Sequence, residues 1–392
     1  MAQLRAYLDH NATTPLRPEA RAAFLDGLDL LGNASSVHGE GRAARARIET
    51  ARDEIAAFVG TAAKNVIFTS GATEALNLVL TPSLEIAGHG SAPFEVLLMG
   101  GGEHACVLNG HRFPAEAAES LPLAADGCLD LAALAASLER HAGRRIMLAL
   151  QAANNETGVI QPVAEAAGMI HAAGGVVICD AVQAAGRIAC DFAALNADAL
   201  AISAHKFGGP QGVGALCFGP GGYHIRNMMV RGGGQERGLR AGTENIAAIM
   251  GFAAAARAAA RDRADLASRL GALRDRLEWD IAQIAPDVVV FGATAPRLPN
   301  TINFAVPGIE AQVLLMSLDM EGVAVSSGSA CSSGKVRRSH VLEAMGVSAQ
   351  LAQSAIRLSL GWDSRAEDLA LFGQAFEKSV RTVKARQVKP AA

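Results

Sequence analysis

Ser203-Ala204-His205-Lys206-Phe207-Gly208-Gly209-Pro210-Gln211-Gly212 is the stretch that decides the fold. Its lysine stands just past an apolar run, Leu200-Ala201-Ile202, with small hydrogen-bonding residues before it and glycines after it. Upstream, Val176-Val177-Ile178-Cys179-Asp180-Ala181-Val182-Gln183 is a second buried-strand pattern, and it ends on an acid. Alone, the lysine is a surface residue in a glycine turn and the acid is a helix cap. Together, an acid at one strand end and a lysine at the next suit pyridoxal phosphate chemistry. The lysine carries the cofactor as a Schiff base, and the acid keeps the pyridine nitrogen protonated so that the ring draws electrons.

Outward from this pair, strand-like and helix-like runs alternate from about residue 64 to 220. Strands are predicted at 66–68, 96–99, 146–150, 176–179, 199–202 and 214–218, with helical patterns between several of them, as at 164–173. The alternation predicts an α/β fold, a mostly parallel sheet covered by helices. Such sheets place ligands at the carboxyl ends of their strands, where Thr69, Asp180 and Ser203 fall. Two alanine-rich helices are predicted over 244–260 and 262–284. From about residue 288 the pattern becomes strand, helix, strand, helices, strand and a final helix. The expected organisation is a large cofactor-binding domain over 17–260 and a smaller α+β domain from 1–16 and 261–392.

The 392 residues, half of them hydrophobic and 19% charged, match a globular α/β protein and can bury a large core. A net charge of -3 gives no electrostatic footprint for nucleic acid or an anionic membrane. The weakly polar stretch 245–256 is too short to span a bilayer, and Met1-Ala2-Gln3-Leu4-Arg5 has no apolar targeting run. Six cysteines are scattered with no Cys-x-x-Cys pair. That argues against a metal site or a disulfide framework and predicts a cytoplasmic location.

Other motifs fall at strand ends. Thr69-Ser70-Gly71-Ala72-Thr73-Glu74 opens a helical pattern. It is either a plain helix cap or a phosphate site built from backbone N–H groups and the helix dipole. His104, after Gly100-Gly101-Gly102-Glu103, is either a polar loop residue or a group that stacks on a flat ring and moves protons. Asn154-Asn155-Glu156-Thr157-Gly158 reads as a turn whose amide can reach a cofactor or substrate. Gly232-Gly233-Gly234 leads to Arg240-Ala241-Gly242-Thr243-Glu244-Asn245, either an interface loop or a phosphate contact through Thr243. Arg357, inside the apolar run Ala355-Ile356-Arg357-Leu358-Ser359-Leu360, needs a substrate carboxylate or a structural ion pair. Cys331 lies in Ser326-Ser327-Gly328-Ser329-Ala330-Cys331-Ser332-Ser333-Gly334, a hydrophilic loop followed by Lys335, Arg337 and Arg338. It is either incidental or a nucleophile whose thiolate the nearby cations favour.

With these motifs assembled, the chain resembles the NifS/IscS-type cysteine desulfurases, class V aminotransferases of fold-type I among pyridoxal phosphate enzymes. The resemblance runs from Tyr7-Leu8-Asp9 to Arg357-Leu358-Ser359-Leu360-Gly361. It implies that Lys206 holds the cofactor, Asp180 its ring nitrogen, and His104 stacks on the ring. Gln183 and Asn155 contact the ring oxygen or the substrate. Ala72, Thr73, Ser203 and His205 bind phosphate, with Thr243 reaching in from the partner of a homodimer. Arg357 holds the substrate carboxylate, and Cys331 accepts the sulfur. The implied activity converts L-cysteine to L-alanine and passes sulfur to an acceptor such as an iron–sulfur scaffold. Selenocysteine lyase or another class V lyase or aminotransferase shares everything but the need for Cys331. His10 and Ala34 depart from the family's usual Asn and Pro, and the chain ends soon after Gly361 without the longer tail of housekeeping members.

Overall fold

The computed structural model describes residues 5–327 and 338–387. Its centre is a seven-stranded sheet in the order Val66–Thr69, Gly214–Phe218, Ala199–Ser203, Val176–Asp180, Ile146–Gln151, Val96–Gly100 and Ala118–Leu121. Only Gly214–Phe218 runs against both of its neighbours. The other adjacent pairs are parallel. The six predicted strands are all present. The edge strand Ala118–Leu121 was not foreseen, because Ala-Glu-Ser-Leu is half exposed and carries little apolar signal.

Both faces of the sheet are buried, which is why its central strands are nearly continuous apolar runs. Leu148, Leu150, Cys179 and Ile202 face one side, with the helices Gly39–Val59 and Val163–Ala172. Met147, Ala149, Ile178 and Ala201 face the other, with the helix Ala72–Val79. Asp180 pairs with Gln151 and Ala201, and Ser203 and Thr69 both pair with Gly214. These three residues therefore share the carboxyl end of the sheet.

A second core gathers around the sheet Val289–Val290, Thr301–Ala305 and Ala355–Ser359, with Phe304, Phe372 and Phe376 at its centre. Ala6 and Leu8 belong to it, through a parallel pairing of Ala6–Tyr7 with Val323–Ala324. The two predicted helices are one 39-residue helix, Ile246–Ile284. Ala248, Ala253, Ala255, Ala256 and Ala259 pack in the first core, while Leu270, Leu277 and Ile281 pack in the second. The charged run Arg261-Asp262-Arg263 breaks the apolar pattern between them. It contains no Gly or Pro, so the helix continues, and Asp262 pairs with Arg17 at 2.7 Å. Among the described residues, no helix is long and apolar enough to cross a membrane.

Candidate active site

A cavity of about 680 Å³ opens at the carboxyl ends of the strands. The structure brings Ala72, Thr73, His104, Asn155, Asp180, Gln183, Ser203, His205, Lys206 and Arg357 together on its wall. Thr243 is not there. It lines a separate cavity of about 240 Å³ with Thr69, Ser70 and Arg240. Cys331 lies outside the described residues.

Lys206 is placed by a short 3₁₀ turn, Ala204–Lys206, directly after the strand Ala199–Ser203. Gly208 lets the chain turn back at φ +93°, a left-handed conformation a side chain resists. The amine donates to the carbonyls of Asn11 at 2.7 Å and Ala12 at 2.9 Å. Burial, followed by the charges of Arg187 and Arg357, lowers its pKa to about 8 against the pull of Asp180 and Asp9. A neutral amine is thus accessible near physiological pH. Burial pushes the Asp180 carboxyl up, while the Val182 N–H at 3.0 Å, His104 and Lys206 favour its anion.

One end of the cavity is built from Ser70 to Thr73, where the helix Ala72–Val79 begins. Gly214 makes this possible: a Cβ there would stand 2.6 Å from the Ile202 carbonyl oxygen and 2.8 Å from the Gly71 Cα. The loop after Thr69 can therefore lie across the sheet end. Glu74 holds it, accepting from Ser70 N–H at 2.7 Å and from Arg240 at 2.8 Å. His205 faces Thr13 Oγ1 at 3.2 Å, and burial with the charges of Lys206 and Arg187 lowers its pKa to about 4. Helix N–H groups, hydroxyls, a neutral imidazole, a buried acid and a depressed lysine form a donor set that fits pyridoxal phosphate.

Arg357 makes the structural ion pair and also faces the cavity. It lines the cavity, and its NH2 also pairs with Asp9 Oδ1 at 2.7 Å while NH1 donates to the Asn155 carbonyl at 2.9 Å. Its buried Nε has no partner. Gln183 donates to the Asn11 carbonyl at 3.1 Å and accepts from Arg187 at 2.5 Å.

Three residues escaped the sequence reading as site residues. Arg187 is buried, and it donates to the carbonyls of Gln183, His10 and Lys206. Burial and Arg357 lower its pKa to about 9. Cys106 lines the cavity beside His104. Glu103 lies buried beneath, with Oε1 accepting from Gln151 N–H at 2.8 Å and Oε2 without a partner. Burial first, and Asp180 with it, pushes this carboxyl well above the usual range. The Gly102-Glu103-His104 grouping in sequence offers no hint of that depth.

Sheet topology, lysine turn and the helix N-terminus at the cavity define a class, and the chain belongs to it: the pattern of the family described as aminotransferase class-V matches residues 6–372. Within that family the chain is 39% identical over 373 residues to an IscS-like cysteine desulfurase of Mycobacterium tuberculosis, covering 93% of each chain. It is 40% identical over 373 residues to a cysteine desulfurase of Cereibacter sphaeroides, covering 93% of this chain and 92% of the relative. The structure superposes on a NifS-like protein from Rickettsia africae with a TM-score of 0.85 and 31% identity, over 96% of this chain and all of that one.

Proposed function

We propose that this protein is a pyridoxal-phosphate-dependent cysteine desulfurase. It converts L-cysteine to L-alanine and receives the sulfur on Cys331 as a persulfide. The carrying observation is Lys206, with its pKa lowered to about 8, sharing one cavity with Asp180 and Arg357. Full-length similarity to proteins named cysteine desulfurase supports the choice of reaction.

Lys206 would hold the cofactor and Asp180 its ring nitrogen, with Gln183 and Asn155 at the ring oxygen or the substrate. Ala72, Thr73, Ser203 and His205 would hold its phosphate. Bound pyridoxal phosphate supplies an electron sink that makes the Cα proton of an amino acid acidic. Arg357 orients the substrate by its carboxylate. The neutral Lys206 amine takes the Cα proton, a role its lowered pKa suits. The thiolate of Cys331 attacks the substrate sulfur, forming the S–S bond as the substrate's C–S bond breaks. One cysteine and one protein thiol thus give one alanine and one persulfide. The two sulfurs are oxidised to the persulfide level while the substrate's Cβ takes the bonding pair and a proton to become the methyl of alanine, so no outside oxidant is needed. An acceptor such as an iron–sulfur scaffold then takes the sulfur. We further propose a homodimer in which Thr243 completes the phosphate site of the partner, since it does not line the cavity of its own chain.

Borohydride reduction of the loaded protein and peptide mapping should place the label on Lys206. Alanine should form from cysteine in the wild type, with a persulfide on Cys331. A Cys331→Ala protein that desulfurates cysteine at the wild-type rate would overturn the assignment and favour a selenocysteine lyase.

A further inference from the structure

His104 caps the short helical turn Ala105–Leu108, and its Nδ1 lies 3.2 Å from the Cys106 backbone nitrogen. A backbone N–H can only donate, so Nδ1 is an acceptor and the neutral ring carries its proton on Nε2. The sulfur of Cys106 lies 2.9 Å from the same Nδ1. With Nδ1 fixed as an acceptor, the thiol is the donor. Burial, then the charges of Asp180 and Glu103, push this thiol's pKa up and keep it protonated, while Thr73 hydrogen-bonds the sulfur.

We propose that Cys106 is a positioning residue for His104, its S–H and N–H together holding the ring neutral, with Nε2–H as its one proton donor at the cavity. Every group facing the ring bears on this. Asp180, at the end of its strand, favours the imidazolium. Burial, Lys206 from the turn after the next strand, and His340 from the helix His340–Ala344 all oppose it. Glu103 precedes the ring in sequence, and its carbonyl oxygen takes up His340 Nε2 at 2.9 Å. Protonating Nδ1 would set it against the Cys106 N–H, which can only donate, and would deprive the S–H of its acceptor, so the thiol adds to the barrier. His104 therefore enters the chemistry as a donor through Nε2, not as a base through Nδ1.

The consequence for catalysis rests on the reading of the cavity as a desulfurase site, but the ring's protonation state is read without turnover. The test uses the full-length protein with ¹⁵N-labelled histidine, with and without pyridoxal phosphate, and His104→Gln to assign the resonance. Cys106→Val fills the volume without a donor, and Cys106→Ser keeps one. In the wild type Nδ1 should be unprotonated and Nε2 protonated. Cys106→Val should raise the pKa of His104 by about half to one pH unit, the worth of one neutral hydrogen bond. Cys106→Ser should restore it, and the acid limb of the pH–rate profile should move in step. A protonated Nδ1 in the wild type overturns the proposal, as does a titration that Val and Ser leave unchanged. If the ring behaves as described but cysteine yields no alanine, the positioning stands and the functional reading falls.

Discussion

Replacing Lys206 with methionine should reverse the stability order of the cofactor-free proteins between pH 7 and pH 10. The folded protein lowers the lysine pKa from 10.5 to about 8. At about 1.4 kcal/mol per pH unit, holding the ammonium in this site costs roughly 3 kcal/mol. The cost is full below about pH 8. It shrinks as pH rises toward 10.5, because the unfolded chain still binds a proton that the folded chain has released, so stability rises with pH there. At pH 10 about 1 kcal/mol or less is left. Methionine removes this cost at every pH, but it also removes the bonds to the Asn11 and Ala12 carbonyls. Asn11 keeps Gln183 as a donor. Ala12 O loses the lysine's bond, a loss of about 1–3 kcal/mol. The variant should therefore be more stable by about 1–2 kcal/mol at pH 7 and less stable by about 1 kcal/mol at pH 10. Urea unfolding of both proteins, followed by circular dichroism at each pH, measures the two differences. A difference of constant sign and size would refute the argument that burial depresses this lysine.

Three further outcomes follow from the same geometry. Asp180→Asn keeps an acceptor for the Val182 N–H but loses the anion, so turnover should fall at least about 100-fold while the melting temperature changes little. Arg357→Lys loses the planar fork, so kcat/KM for cysteine should fall about 30–150-fold, and stability should fall as well because Asp9 loses its partner. Gly214→Ala should destabilise the protein by about 1–3 kcal/mol and weaken cofactor affinity, since the new methyl would displace Gly71. Calorimetry and cofactor titration read the two effects separately.

The positions of Asp180 and Lys206 were legible because Asp180 ends one buried strand and Lys206 follows closely on the end of another, and strand ends of a parallel sheet converge. Arg357 was legible as a charge inside an apolar strand, although sequence could not show that one guanidinium serves Asp9 and the cavity together. Arg187 was invisible. It sits in an alanine-rich turn with no periodicity, and only the fold brings the carbonyls of His10 and Lys206 to it. Cys106 is two residues from His104, but a contact between them depends on the cap that turns the ring back. The long helix was misread as two because charge interrupts its apolar face where it passes between cores. The large cofactor-binding domain and its smaller companion are proposed to part at residue 260, inside that helix.

The place of the N-terminal segment sets the order in which the site can mature. Asp9 meets Arg357 across 348 positions of chain, and Asn11 spans the same distance to Ser359. The carbonyls that receive the Lys206 amine thus belong to residues that leave the ribosome among the first. They find their seat only after the strand Ala355–Ser359 has emerged. Synthesis proceeds at about 5–20 residues per second, so this wait lasts tens of seconds. The large sheet can assemble on the nascent chain during that time, but the cleft around its lysine cannot close. The site cannot be completed before Arg357 and Ser359 are in place, and a truncation before residue 355 should yield a folded sheet that never completes its own site.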